Sequence, residues 1–126
     1  MATLEKKKAI QRKEERAQGP VRASLKKLQM SARKIRVIAD AIRFKHVSYA
    51  LEFLSTQKKA SCPPLKKLLE SAIANAAERK LDVDTLSISK ISVDKGPLRK
   101  RFMPRAQGKA TKIRKQSAHI EVFLES

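Results

Sequence analysis

The sequence contains little cysteine and little glycine, and each shortage excludes a kind of site. One cysteine, Cys62, permits neither an internal disulfide framework nor a site with several thiolate ligands, and this usage suits a reducing compartment. Three glycines provide no phosphate-binding loop, and no zinc-protease or nucleophile-elbow motif occurs. The two histidines, His46 and His119, stand far apart in the chain. We therefore expect no catalytic residues, no metal site, no cofactor and no enzymatic activity.

Long apolar runs and acidic residues are scarce as well. The absence of any run of 18 apolar residues predicts that the chain does not span a membrane. Residues 1–19 lack the apolar core of a signal peptide, and Glu5, Glu14 and Glu15 are unlike an organelle transit peptide, so we expect the protein to act where it is made. Thirty lysines and arginines against twelve acids give a net charge of +18, and such self-repulsion predicts a polyanionic partner.

The charge excess is concentrated in two parts of a chain whose 126 residues fit one domain. Residues 20–46 carry eight basic residues and one acid, and residues 95–115 carry nine basic residues and no acid. Residues 47–84 are nearly neutral, with six basic residues against five acids. This distribution predicts two separate polyanion-binding surfaces, because a solubility face would mix the two signs.

Apolar residues recur at helical spacing in three segments. Ile35, Ile38 and Ile42 fall on one side of a helix predicted over residues 32–43, with Ser31 as its N-cap. A shorter second helix and a longer third helix follow it. Their apolar positions are Val47, Ala50, Leu51 and Leu54 in the second, and Leu65, Leu68, Leu69, Ala72, Ile73 and Ala76 in the third, which begins at Ser61-Cys62-Pro63-Pro64.

Three further segments alternate between apolar and polar residues, as strands do. Residues 21–29 alternate imperfectly and predict a short strand. The alternation that begins at Leu86 slips by one residue near Ser89–Lys90, which predicts a β-bulge or a strong twist there. Residues 118–124 alternate again, and we expect this last strand to pair antiparallel with the strand that contains the bulge.

The chain begins with a charged extension and later contains a basic arm. Residues 4–17 predict a frayed or solvent-exposed helix, or a tail, that ends at Gly19-Pro20. We therefore divide the chain into an extension, residues 1–19, and a single domain, residues 20–126, within which residues 95–117 form the arm.

Residues 95–117 have too few large apolar residues for a core. With a turn near residue 106, two extended halves of about 12 residues would project roughly 40 Å at about 3.3 Å per residue. Water alone does little to stabilise an arm of this length and charge. The arm is best explained as an element that threads into RNA and is ordered by it.

The polyanion is predicted to be folded RNA. A helix-turn-helix interpretation of the first two helices fails because Phe44-Lys45-His46 lacks the usual glycine and the second helix is nearly free of charge, whereas a recognition helix needs polar side chains for base edges. Aromatic residues make up 4% of the chain, which argues against base-stacking platforms. Recognition of RNA backbone and shape remains, and the alternative is a nucleoid-type DNA-compacting protein.

Residues from about Val21 to Glu125 resemble a known family, the bacterial form of the large-subunit ribosomal protein number twenty-two, or L twenty-two, family. Four ordered motifs carry the resemblance. They are Ser31-Ala32-Arg33-Lys34-Ile35-Arg36 with Ala39-Asp40, Ile42-Arg43 and Lys45; Glu70-Ser71-Ala72-Ile73-Ala74-Asn75-Ala76; Val93-Asp94-Lys95-Gly96-Pro97 with Arg101, Met103-Pro104-Arg105-Ala106, Gly108 and Ala110; and His119-Ile120.

The resemblance implies an α+β fold, with a small body of three helices packed on a three-stranded antiparallel sheet and a long protruding basic β-hairpin. It implies a structural protein that binds ribosomal RNA, supports assembly of the large subunit and lines the nascent-peptide exit tunnel with its hairpin tip. The implied partners are large-subunit ribosomal RNA, neighbouring ribosomal proteins and the nascent polypeptide. The implied location is the cytoplasm, within the large subunit, and the sequence leaves an organelle ribosome open.

The basic residues and the family motifs together give two sets of candidate site residues. The predicted RNA-binding residues are Arg22, Lys26, Lys27, Arg33, Lys34, Arg36, Arg43, Lys45, Lys95, Arg99, Lys100, Arg101, Arg105, Lys109, Lys112, Arg114, Lys115 and His119. The predicted tunnel-lining tip consists of Phe102, Met103, Pro104, Arg105, Ala106, Gln107 and Gly108.

The chain departs from the family pattern at several positions. Phe44 stands where the family usually has a glycine, which leaves open how the turn after the first domain helix is made. Ala77 replaces a common glutamate and Lys109 a common arginine. Asn75 is polar on a helix of small residues, and the sequence leaves it as either an RNA contact or a loop cap.

Overall fold

The computed structural model describes residues 3–126, with the side chains of residues 16–18 left out of the description. Its elements are α1 (Leu4–Gln18), β1 (Val21–Leu28), α2 (Ala32–Ile42), α3 (Val47–Thr56), α4 (Cys62–Glu78), β2 (Ser87–Lys95), β3 (Arg99–Pro104), β4 (Ala110–Lys115) and β5 (Ala118–Glu125), with short 3₁₀ turns at Val83–Thr85 and Ala106–Gly108. The order is that of an α+β protein, as predicted.

The body contains a three-stranded antiparallel sheet in the order β1-β5-β2. The last strand is central because it pairs with β1 on one side and with β2 on the other. Its alternate residues Ala118, Ile120, Val122 and Leu124 are fully buried on the same face. The predicted pairing of β5 with the strand before the arm is confirmed, from Lys95 opposite Ala118 onward.

Two irregularities interrupt the outer strands. The register of β2 shifts between Ile88 and Lys90, which confirms the predicted bulge and keeps apolar residues on the inner face after the slip. The register of β1 shifts between Leu25 and Leu28. Within that second shift Lys27 has a φ of +57°, and its backbone N–H donates to His119 Nδ1 at 3.0 Å.

Three helices cover one face of the sheet. The first domain helix, α2, packs against β2, while α4 packs against β1 and β5 and also contacts α3. The predicted apolar stripes are buried, with Ile35, Leu65 and Leu69 fully inaccessible. Two expectations need correction. Ile73 is only partly buried at the margin of the core, and the Ser31 side chain, although at the N-cap position, makes no capping hydrogen bond.

The N-terminal extension forms α1, which ends at Gly19 as the sequence predicts. The side chains of residues 4–15 are exposed, so this helix is solvated and adds nothing to the core. Arg79 Nη1 donates to the Gly19 carbonyl at 2.8 Å and ties the start of the domain to the end of α4.

The arm is a β-hairpin in which Arg99 pairs with Lys115 and Pro104 with Ala110. Its turn lies at Ala106–Gly108, where the sequence places it, and Arg105 N donates to the Lys109 carbonyl at 2.7 Å across it. Six paired residues per strand span about 20 Å, which is half of the length predicted for the whole arm. Residues 97–116 are exposed throughout.

Candidate nucleic-acid interface

The two strongly basic segments meet at one groove of about 940 Å³. The groove lies between the start of α2, the loop before α4 and the end of β4. We call it the basal groove, and its cations are Lys34, Lys59, Arg114 and Lys115. No acidic residue lines it among the residues that the structure describes. The sequence predicted two separate basic surfaces. The structure instead places Lys34 of α2 and Arg114 and Lys115 of the arm in one shared groove.

Backbone geometry brings these cations together. The chain leaves β1 and turns directly into α2, so Lys34 lies in the first turn of that helix. The base of the arm is fixed to the body where Gly96 N donates to the Ser117 carbonyl at 2.8 Å and Ser117 Oγ donates to the Pro97 carbonyl at 2.6 Å. Arg114 and Lys115 precede this junction, and so the junction holds the end of β4 beside the body.

The cations of the basal groove are available to a ligand. Within residues 3–126, none of the four side chains makes an ion pair or a hydrogen bond to the protein. Ser31 and the buried Ser61 line the same groove, and hydroxyls of this kind also bind phosphate oxygens. Val37 adds an apolar patch that is 59% exposed. The groove thus combines positive charge, hydroxyl groups and apolar surface.

Like charges face one another along the hairpin. Arg99 lies opposite Lys115, and Lys100 lies opposite Arg114. Directly opposed like charges destabilise an antiparallel pair in water, and an anionic partner between them would relieve this repulsion.

Both faces of the hairpin are basic. Side chains alternate along a strand, which places Arg99 and Arg101 with Lys115 on one face and Lys100 with Lys112 and Arg114 on the other. An arm that is cationic on two sides suits an anionic environment that surrounds it, and is less suited to a flat surface that touches one side.

Four predicted RNA-binding residues have structural roles within the body. Arg22 forms an ion pair with Glu121 and its guanidinium lies 5.8 Å from the centroid of the Phe123 ring. Arg36 donates through Nε and Nη2 to the Val93 carbonyl at 3.1 and 2.9 Å, which joins α2 to β2.

The other two are Arg43 and His119. Arg43 pairs with Asp40 at 2.9 Å, while its Nε is buried without a partner. His119 Nδ1 accepts the Lys27 N–H described above. Sequence patterns identified these residues as polar and basic, but only the fold shows that their side chains already have protein partners.

The remaining predicted RNA-binding residues are exposed on the body or the arm. On the body they are Lys26, Lys27, Arg33, Lys34 and Lys45, and on the arm they are Lys95, Arg99, Lys100, Arg101, Arg105, Lys109, Lys112, Arg114 and Lys115. The predicted tip, residues 102–108, is exposed as well, with left-handed backbone at Gln107 (φ +63°) and Gly108 (φ +69°).

Some residues of the basal groove were missed by sequence reasoning. Lys59 lies in the nearly neutral middle of the chain, and its only signal was the Lys58-Lys59 pair in a loop before a helix. Gln116 was missed because it carries no charge. Asn75 has a role that sequence reasoning did not consider, since its Nδ2 donates to the Arg22 carbonyl at 3.2 Å and links α4 to β1.

Two other kinds of site are absent from residues 3–126. In that range no helix is long and apolar enough to cross a membrane, and no group of three or more histidine, cysteine or acidic side chains is arranged to hold a metal ion.

Comparison with known proteins identifies similar chains. The family model for ribosomal protein L22p/L17e matches residues 23–125, so α1 lies outside the match. A protein of Myxococcus xanthus, named large ribosomal subunit protein uL22, is 50% identical over 105 residues, which cover 81% of this chain and 92% of the relative. The protein of the same name from Bdellovibrio bacteriovorus is 48% identical over 106 residues, covering 83% and 96%. Both names denote ribosomal proteins rather than enzymes, in agreement with the sequence-based expectation.

Proposed function

The chain belongs to the ribosomal protein L22p/L17e family, and from that premise we propose that it binds ribosomal RNA through the basal groove and the hairpin and lines the peptide exit tunnel with the hairpin tip. It acts as a structural protein of the large ribosomal subunit, in the cytoplasm, and not as an enzyme. Its partners are large-subunit ribosomal RNA, neighbouring proteins of that subunit and the nascent polypeptide.

The convergence of unpaired cations in the basal groove is the observation that carries RNA binding. Lys34 from the body and Arg114 from the arm line one groove without a nearby acid among the described residues. When cations of both elements neutralise phosphates of an RNA backbone in the groove, the counterions condensed on that RNA are released. RNA bound there also fixes the direction in which the arm leaves the body.

The composition of the tip supports a role in the tunnel wall. Arg105 is the one charged residue between Phe102 and Gly108, whereas cations are dense on both flanks. Phosphate contacts position a protein on RNA, so the flanks anchor the arm and the tip is left to form a surface. Phe102 and Met103 are 67% and 47% exposed, which suits a wall that meets another polymer.

A salt titration tests the RNA-binding proposal. The full-length chain is mixed with large-subunit ribosomal RNA fragments, and the dissociation constant is measured at several salt concentrations. With about eight phosphates neutralised, the slope of log affinity against log salt should be about −6 to −7. A slope near zero would contradict electrostatic binding by the groove and arm.

Paired variants locate the binding surface. Changing Lys34 and Arg114 to alanine should reduce the magnitude of that slope by about 1.5, since each phosphate left without its cation removes roughly 0.7 to 0.9. Lys66→Ala with Lys67→Ala removes the same charge from α4, outside the basal groove, and should change the slope far less. Equal effects of the two pairs would show that net charge alone determines binding.

Duplex DNA of matched length separates the proposal from a DNA-compacting protein. We expect folded ribosomal RNA to bind more tightly than DNA at the same salt concentration, because the groove and a two-sided arm fit a folded polyanion. Equal affinity for the two would favour the nucleoid-type alternative.

A further inference from the structure

Three of the five phenylalanine and tyrosine residues lie at the junction of α2 and α3. Phe44 is 73% exposed and Tyr49 is 49% exposed. The Tyr49 and Phe53 rings are stacked with centroids 6.3 Å apart, and Lys45 Nζ lies 5.9 Å from the centroid of the Tyr49 ring. We call Phe44, Lys45, Tyr49 and Phe53 the aromatic turn. Of these four residues, Lys45 is a predicted RNA-binding residue, and the three aromatic rings have no part in the basal groove.

Stability of the fold does not account for Phe44. Its φ is +58°, in the left-handed region where a glycine is unstrained and a residue with a β-carbon is disfavoured. Its ring meets solvent and so gains little from burial. Phe44 therefore has a strained backbone and a ring that is not stabilised by burial in the fold. Contact of the ring with a partner in the assembled state accounts for its presence.

Lys45 is the cation that the aromatic turn offers to a partner. Arg43 is paired with Asp40 and Glu52 precedes Phe53, whereas Lys45 makes no ion pair among the described residues. The turn lies at the opposite end of α2 from the basal groove, with Phe44 about 15 Å from Lys34 along the axis at 1.5 Å per residue, so the same helix carries both features. An exposed aromatic ring beside Lys45, on the helix that also lines the basal groove, suits a nucleotide better than a basic protein surface.

We propose that the aromatic turn stacks an unpaired base of large-subunit ribosomal RNA on Phe44, with Lys45 holding the neighbouring phosphate. The proposal rests on the RNA-binding function above and adds a contact to a base. Unpaired RNA bases are commonly held by aromatic stacking, which needs a π-face and little sequence specificity. The general scarcity of aromatic residues had argued against such stacking, but the fold places two exposed rings, Phe44 and Tyr49, close together in the chain beside Lys45.

Substitutions at Phe44 should separate stability from binding. Phe44→Gly should raise the melting temperature, because glycine relieves the left-handed strain, yet weaken binding to ribosomal RNA fragments about tenfold through loss of the stack. Phe44→Trp should retain the affinity. Phe44→Leu keeps an apolar side chain without a π-face, and should weaken binding as the glycine variant does.

The salt slope distinguishes failure of this proposal from failure of the RNA-binding function. Phe44→Gly removes no phosphate contact, so its affinity should fall with an unchanged slope. Wild-type affinity in the glycine variant, with a steep slope retained, would overturn the stacking proposal alone. A flat slope in the wild-type chain would overturn the RNA-binding function itself.

A cross-link in the assembled subunit identifies the occupant. A benzoyl-phenylalanine at position 44 is irradiated in purified large subunits, and the cross-linked product is digested with ribonuclease or protease. We expect a ribonuclease-sensitive product that maps to an unpaired nucleotide. A cross-link to a ribosomal protein, or no cross-link at all, would overturn the proposal.

Discussion

Gly96 lies where the arm leaves the body, and the space around it is smaller than a methyl group requires. A β-carbon built there would be 2.5 Å from Ser117 Oγ and 3.3 Å from the Cε1 and Nε2 atoms of His119. The hydroxyl cannot turn away without loss of its hydrogen bond to the Pro97 carbonyl, and Ser117 is 5% exposed. Glycine is needed here for close packing.

Gly96→Ala should therefore lower the free energy of unfolding by about 1 to 3 kcal/mol, as overpacking does. Urea denaturation followed by circular dichroism measures the change. Adding Ser117→Ala removes the nearest clashing atom, so the double variant should lose less stability than the two single changes summed. Gly108→Ala is the control. A β-carbon there meets nothing within 4 Å, and the strain of its positive φ stays in the exposed tip. Unchanged stability of Gly96→Ala would contradict the packing argument.

Residue roles were predictable where they depend on local pattern. The period of Ile35, Ile38 and Ile42 predicted their burial, and the phase slip predicted the bulge in β2. The partners of Arg36 and His119 were not predictable, because Val93 and Lys27 lie 57 and 92 positions away in sequence. Local patterns specify which face a side chain takes, and only the packed fold specifies what it meets there.

Among the elements, the helices and the sheet form the body and the hairpin stands apart from it. The α4 helix supplies Leu65 and Leu69 to the core, both fully buried. The hairpin strands are exposed along their whole length and, within residues 3–126, pair with each other and with no other strand. An element that buries no apolar surface against the body contributes little to the stability of the body.

Substitutions in α4 and in the arm should consequently have opposite outcomes. Leu69→Asp places an unpaired charge in the core and should unfold the chain, at a cost of several kcal/mol. Ile73→Asp should cost less, because Ile73 is partly buried. Replacing residues 97–115 with a short turn should leave the melting temperature nearly unchanged. Thermal melting of the three variants measures this, and equal loss in all three would contradict the division into body and arm.

At the scale of the whole molecule, the charge pattern and the fold together determine where RNA is expected to bind. Segment charges were readable from the sequence, and they showed which two segments carry most of the positive charge. Their convergence was not readable, because Lys34 and Arg114 are 80 positions apart and meet only when the arm is fixed beside α2. The opposed cations of the hairpin likewise depend on register, which the sequence did not specify.

In the assembled subunit, the tip of the arm and its flanks should respond differently to substitution. Deleting Met103 and Pro104 together with their cross-strand partners Thr111 and Ala110 shortens the hairpin by two pairs and preserves the register of the rest. The flanking cations still contact phosphates, so subunits should contain this variant in near-normal yield. Sensitivity to macrolide-type drugs and pausing on nascent peptides should change, because the tunnel wall has moved.

The matched variant changes the flanks and keeps the tip. Replacing Arg99, Arg101, Lys112 and Arg114 with alanine removes four cations from both faces of the hairpin. Because about four phosphates are then no longer neutralised, the magnitude of the salt slope for RNA binding should fall by roughly 3 to 3.6. The main effect in cells should be lower incorporation of the protein into subunits, ahead of any change in drug sensitivity. Protein occupancy of purified subunits and drug-dependent translation are measured for each variant. If the shortened tip abolished incorporation while the four-alanine chain assembled normally, the tip would be the anchor and the flanks the wall, because occupancy would then depend on the residues that carry almost no charge.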